Sequence, residues 1–134
     1  MNKGMNKGNA MEPAILIKTS AVLLGLTALG GLLMGLLRFK IERPPAWLAM
    51  GHGFVAASGL TLLLYTGVTV GVPMLMWFGV GLLLLAAPVG IYLNLAYQAK
   101  LRALPVLPIL IHGLLAAIGV AIVVVGATRN PMNG

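Results

Sequence analysis

Four long apolar stretches dominate this chain, at about 14–37, 46–68, 73–97 and 105–127. Crossing the roughly 30 Å hydrocarbon layer of a bilayer takes about 20 apolar residues in a helix. Lipid offers no partner for an unpaired peptide group, so each stretch must satisfy its own backbone as a helix. None of the four contains an Asp or Glu. Charged residues make up 8% of the 134, against about 25% in a soluble domain, and cannot cover a water-facing surface of this size. The fold class is therefore all-α: an integral membrane four-helix bundle spanning 14–127. A polar, flexible N-terminal tail is read at 1–13 and a C-terminal tail at 128–134. The first stretch is longer than the 7–15-residue core of a signal peptide and reads as a retained helix.

The breaks between stretches have distinct chemistry. "RFKIERPP" (38–45) is charged and ends in two prolines, "GVTVGVP" (67–73) is Gly-rich, and "QAKLRALP" (98–105) is basic. Proline at each boundary suits a helix start. Pro88 and Pro108 lie inside spans three and four, where proline kinks a helix. Trp47 and Trp77 lie at span starts, at the depth that interfacial tryptophans favour.

The net charge is +7. The basic residues flank apolar stretches, so membrane topology and lipid headgroups explain them before nucleic acid does. No nucleic-acid partner is expected. Arg38, Lys40, Arg43, Lys100 and Arg102 lie in the first and third loops, and the second loop carries no charge. Lys3, Lys7, Lys18 and Arg129 lie at the other ends; by five cations to four, and mainly on the uncharged second loop, the positive-inside rule places loops 38–45 and 98–104 in the cytoplasm and both termini outside. The implied location is a bacterial inner membrane.

The chain has two histidines and no cysteine. Disulfides, zinc–thiolate sites, iron–sulfur clusters and c-type haem attachment are thereby excluded. "HGFVAASG" begins at His52 and "HGLLAAIG" at His112, sixty residues on. Between 50–63 and 110–123, five of fourteen positions match. Each histidine stands seven residues after a proline, Pro45 or Pro105, hence about 10 Å into its helix. The chain reads as a duplicated helical hairpin whose second and fourth spans run in the same direction. At a shift of sixty, spans one and three align only at scattered leucines and at Gly30/Gly90.

Ionisable side chains within a span are costly and mark function. Two imidazoles at one depth on separate helices can take both axial positions of one haem b iron. Positions i+4 and i+7 share a face with each histidine. Ala56 and Gly59 beside His52, and Ala116 and Gly119 beside His112, therefore share the histidine faces, and with the adjoining Gly53 and Gly113 they form the candidate macrocycle face. Arg38, Arg43 and Arg102 are candidate partners for the propionates, since guanidinium pairs with carboxylate in two-point geometry. Lys40 and Lys100 lie near the same level, and Asn94, Tyr92 and Tyr97 are candidate donors around the site.

On these residues the chain resembles membrane b-type cytochromes, such as cytochrome b561 and the cytochrome b subunits of hydrogenases and formate dehydrogenases. The resemblance covers the helical body and is specific at His52 and His112. It implies electron transfer, with quinone or a redox protein as partner, within or beside a respiratory complex. Those families carry more histidines and commonly two haems; two histidines serve one.

Other readings stay open at this level. The histidines could each bond a neighbouring helix, and the chain could be an accessory subunit of a larger membrane complex with no cofactor. A chlorophyll-type pigment needs one imidazole per magnesium. A small four-helix transporter of the multidrug type would need a buried acidic residue, and no span has one. A hydrolytic site is not recognisable, so the chain reads as an electron carrier or subunit rather than a catalyst by itself.

Overall fold

The computed structural model describes residues 7–41 and 43–129. It contains α1 (Lys7–Arg38), α2 (Ala46–Thr69), α3 (Met74–Leu93) and α4 (Val106–Arg129), with a π-helical turn, Asn94–Gln98, continuing α3. The segments Pro13–Arg38, Ala46–Thr69, Met74–Gln98 and Val106–Arg129 are each long and apolar enough to cross a membrane. The chain is an all-α, four-helix integral membrane protein, and its spans lie close to the sequence boundaries.

Two expectations need correction. Residues 1–6 and 130–134 lie outside the described residues, but the backbone is already helical from Lys7, inside the stretch read as a tail. Pro108 does not kink α4. It is the third residue of that helix, in the first turn, where an N–H has no intrahelical acceptor to lose.

Prolines set the helix starts. Pro45, Pro73 and Pro105 each precede a helix, and their carbonyls accept from the first turn: Leu48 N to Pro45 O at 3.1 Å, Met76 N to Pro73 O at 2.8 Å and Ile109 N to Pro105 O at 3.5 Å. The α2–α3 turn reverses through Gly71, whose φ of +92° favours glycine. The N–H groups of Val70 and Gly71 both donate to Thr66 O, at 3.0 and 3.1 Å.

Helix α1 pairs with α2, and α3 with α4. The two hairpins meet through α1 against α4 and α2 against α3. The closed core is Ile17, Leu24, Leu63, Met76, Val80, Leu83, Val120, Val123 and Ala127. These residues all lie toward the end of the bundle that holds the α2–α3 turn. Toward the other end, 28–41, 46–58 and 106–118 contain no fully buried residue. Hydroxyls within the core bond their own helix: Ser20 Oγ to Leu16 O, Thr27 Oγ1 to Leu23 O and Thr66 Oγ1 to Leu62 O, all at 2.8–2.9 Å. That back-bonding satisfies the polar groups without an interhelical partner.

Close helix approach in the second hairpin rests on Gly79 and Gly119. A Cβ at Gly79 would stand 2.9 Å from Gly119 O, and one at Gly119 would stand 3.1 Å from Gly79 O. Gly59 takes the equivalent place in the first hairpin, against Leu23 and Leu24. Trp77 is not simply interfacial, because its ring packs on Gly67 across the α2–α3 turn.

The duplication is visible in these contacts, with a change of register. Gly59 meets Leu24, and Gly119 meets Leu83. The glycines are sixty residues apart but the leucines fifty-nine. Span three therefore matches span one at a shift of fifty-nine, not sixty, and Gly90 corresponds to Gly31 rather than Gly30. Beyond the π turn the shift returns to sixty. Arg38 Nε donates to Leu104 O at 2.9 Å, and Gln98 Nε2 donates to Pro44 O at 2.8 Å. These bonds are reciprocal: each hairpin's side chain reaches the carbonyl just before the other's helix-starting proline. A π turn holds one more residue than the α-helix it interrupts, and here it absorbs the extra residue of the second hairpin.

Candidate functional site

His52 and His112 converge across the bundle. Their ring centroids are 6.1 Å apart, and the ring planes cross at 73°. Both side chains are half-buried. His52 Nδ1 lies 3.0 Å from Thr27 O, and His112 Nδ1 lies 2.9 Å from Ala86 O. Thr27 and Ala86 are themselves fifty-nine residues apart, so the two contacts are repeat equivalents.

A carbonyl oxygen can only accept. Each hydrogen bond therefore requires the proton on Nδ1 and leaves Nε2 with a lone pair. No described residue donates a hydrogen bond to either Nε2. The site thus presents two nitrogens with free lone pairs on rings held from behind by main chain.

Glycines on the partner helices make room for the rings. A Cβ at Gly31 would stand 3.0 Å from His52 Cε1, and one at Gly90 would stand 2.8 Å from His112 Cε1. Gly30 also faces His52, at 3.8 Å. A side chain at Gly90 would force the His112 ring to shift, and one at Gly31 would crowd the His52 ring. Sequence reasoning missed both as site residues, because the shift of sixty paired Gly90 with the wrong glycine.

The small residues beside the histidines divide by role. Gly53 and Gly113 are exposed on the outer side of their helices, with nothing within 4 Å of an added Cβ. Gly59 and Gly119 are buried in the hairpin seams. Ala56 and Ala116 are half-buried. The structure therefore does not gather the six into one face. Residue i+1 turns 100° away from i, and i+7 lies two turns along, where the hairpin is already closed.

The candidate propionate partners also separate. Arg38 is committed through Nε to Leu104 O. Arg43 is half-buried and Arg102 exposed, both in the loops at the histidine end. Tyr92 and Tyr97 pair with each other, hydroxyl to hydroxyl, at 3.3 Å. Asn94 begins the π turn one helical turn beyond Gly90. Ser58 Oγ donates to Phe54 O at 2.8 Å and belongs to no site.

The donor set can be tested against a haem. A neutral imidazole with a free ring nitrogen is a donor that first-row metals accept. The two rings stand 6.1 Å apart, centroid to centroid, in an edge-on arrangement. Among the described residues no group of three or more His, Cys, Asp or Glu is assembled. A bare zinc ion would want two further donors. Two imidazoles without further protein donors would suit a metal that brings its own remaining ligands.

Comparison with protein-family models, curated proteins and solved structures gives no match to this chain.

Proposed function

We propose that the chain is a small membrane electron-transfer protein that holds one haem b between His52 and His112. The observation that carries this reading is the convergence of the two rings at 6.1 Å, each anchored through Nδ1 on a main-chain carbonyl. When bound, the haem would supply one-electron chemistry. His52 and His112 would hold the group through Nε2, with Thr27 O and Ala86 O fixing the tautomer of each ring. Gly31 and Gly90 would let the rings lie close to α1 and α3. Arg43, half-buried in the α1–α2 loop, remains the candidate to meet a propionate.

The remaining proposals follow from charge and size. The uncharged second loop supports a cytoplasmic placement of loops 38–45 and 98–104, in a bacterial inner membrane, with both termini outside. A chain with two histidines to ligate iron would hold one haem and would need a second redox centre to relay electrons onward. That supports partnership with membrane subunits, quinone or a redox protein.

A second reading draws on the same hydrogen bonds. The histidines would then be interhelical locks within an accessory subunit, and Nε2 would serve nothing. The optical spectrum of purified, haem-supplemented protein separates the two. The electron-transfer reading expects low-spin reduced-minus-oxidised bands that vanish in both His52→Ala and His112→Ala. A folded protein that stays colourless would leave the accessory reading standing.

A further inference from the structure

The two loops at the histidine end are repeat equivalents in the sixty-residue register. Lys40 corresponds to Lys100, and Ile41 to Leu101. Each loop thus carries an exposed lysine followed at once by an exposed branched aliphatic. Ile41 is 43% exposed and Leu101 73%. Arg102 adds a second exposed cation to the α3–α4 loop, and Arg43 a half-buried one to the α1–α2 loop.

The backbone at Leu101 is unusual. Leu101 has φ of +55°, in the left-handed region, where a leucine is strained and glycine or asparagine is at ease. The turn is closed by Leu101 N to Gln98 O at 3.2 Å and Arg102 N to Tyr97 O at 2.9 Å. A turn facing only water gains nothing from a leucine in that conformation. Beside these loops Phe39 is 83% exposed and Trp47 73%. Cations with aliphatic and aromatic side chains at one level match a bilayer boundary, where phosphates lie above and acyl chains below. Arg38 and Gln98, which tie the hairpins together just beneath, keep the two corners in fixed relation.

We propose that the loop tips form a pair of binding sites for anionic phospholipid. Lys40 at one corner, and Lys100 with Arg102 at the other, hold the headgroup phosphates, while Ile41 and Leu101 insert among the acyl chains. The proposal does not rest on haem.

Trp47 stands at the proposed end and Trp77 near the opposite turn, so the chain contains its own reporter and control. Protein is reconstituted in phosphatidylcholine vesicles containing a fixed fraction of brominated lipid, either phosphatidylglycerol or phosphatidylcholine. Trp77→Phe isolates Trp47, and Trp47→Phe isolates Trp77. The expected result is roughly twofold stronger quenching of Trp47 by brominated phosphatidylglycerol than by brominated phosphatidylcholine, since anionic lipid collects around basic juxtamembrane residues. That preference disappears in Lys40→Gln/Lys100→Gln/Arg102→Gln, while Trp77 shows none in either protein. Equal quenching of Trp47 by the two lipids overturns the proposal. So does a preference that survives the triple substitution, or one that Trp77 shares. Soluble glycerophosphate at matching concentration should leave the preference intact. Its loss there would assign the cations to free phosphate and overturn the lipid site.

Discussion

Each histidine's tautomer follows from what its Nδ1 faces. Thr27 O and Ala86 O accept only, so both rings carry the proton on Nδ1. Nitrogen NMR of histidine-labelled protein without cofactor should show two protonated δ and two unprotonated ε nitrogens. Gly90→Val should abolish that pattern for His112 and spare His52, because the added carbons occupy the place of the imidazole edge. An unchanged His112 signal in that variant would mean the ring is not held by Ala86. The histidines themselves were legible in the sequence, as rare ionisable groups in matched frames. Their supports were not. A main-chain carbonyl has no letter, and Thr27 and Ala86 share no side-chain chemistry that marks them as a pair.

At the scale of the element, the π turn explains why spans one and three hardly align. Gly31 to Arg38 is seven residues, and Gly90 to Gln98 is eight, yet both pairs serve the same two contacts. A plain helix would carry Gln98 100° past Pro44. Deleting Leu95, exposed within the π turn, should restore a continuous α-helix and keep both His112–Ala86 and Gln98–Pro44. Deleting Leu84, also exposed but within α3, turns Gly79 and Gly90 onto different faces and should cost more than about 4 kcal/mol. Thermal unfolding in detergent compares the two; similar losses would dismiss the π turn as a register device. The hairpin seams supply a milder contrast. Gly79→Ala forces a methyl against the main chain of α4 and should cost about 1–3 kcal/mol. Gly81→Ala meets nothing within 4 Å and should be neutral or slightly stabilising. Helix positions were readable from apolar run length, because lipid permits no alternative. The register was not, because a one-residue insertion leaves hydrophobic composition unchanged.

For the whole molecule, the duplication orders the bundle around an approximate two-fold axis, with the histidines on opposite sides of it and the reciprocal Arg38 and Gln98 bonds at one end. An interhelical hydrogen bond in a membrane contributes about 0.6 kcal/mol on average, so these bonds add little stability. Their effect is on relative placement: they fix how far one hairpin can slide or tilt against the other, and with it the distance between the rings. Such an axis along the membrane normal also requires that loops one and three share a side and the α2–α3 turn lie opposite. The native chain has no cysteine, so single cysteines report cleanly. Lys40→Cys and Lys100→Cys should react with a membrane-impermeant maleimide only after the cytoplasmic face is opened. Val70→Cys, 47% exposed in the opposite turn, should react from outside in intact cells. The reverse pattern would keep the fold but invert the proposed orientation. Labelling of Lys40→Cys and Lys100→Cys from different sides would contradict the duplicated-hairpin topology itself, because two parallel repeats cannot place equivalent loops across the bilayer from one another.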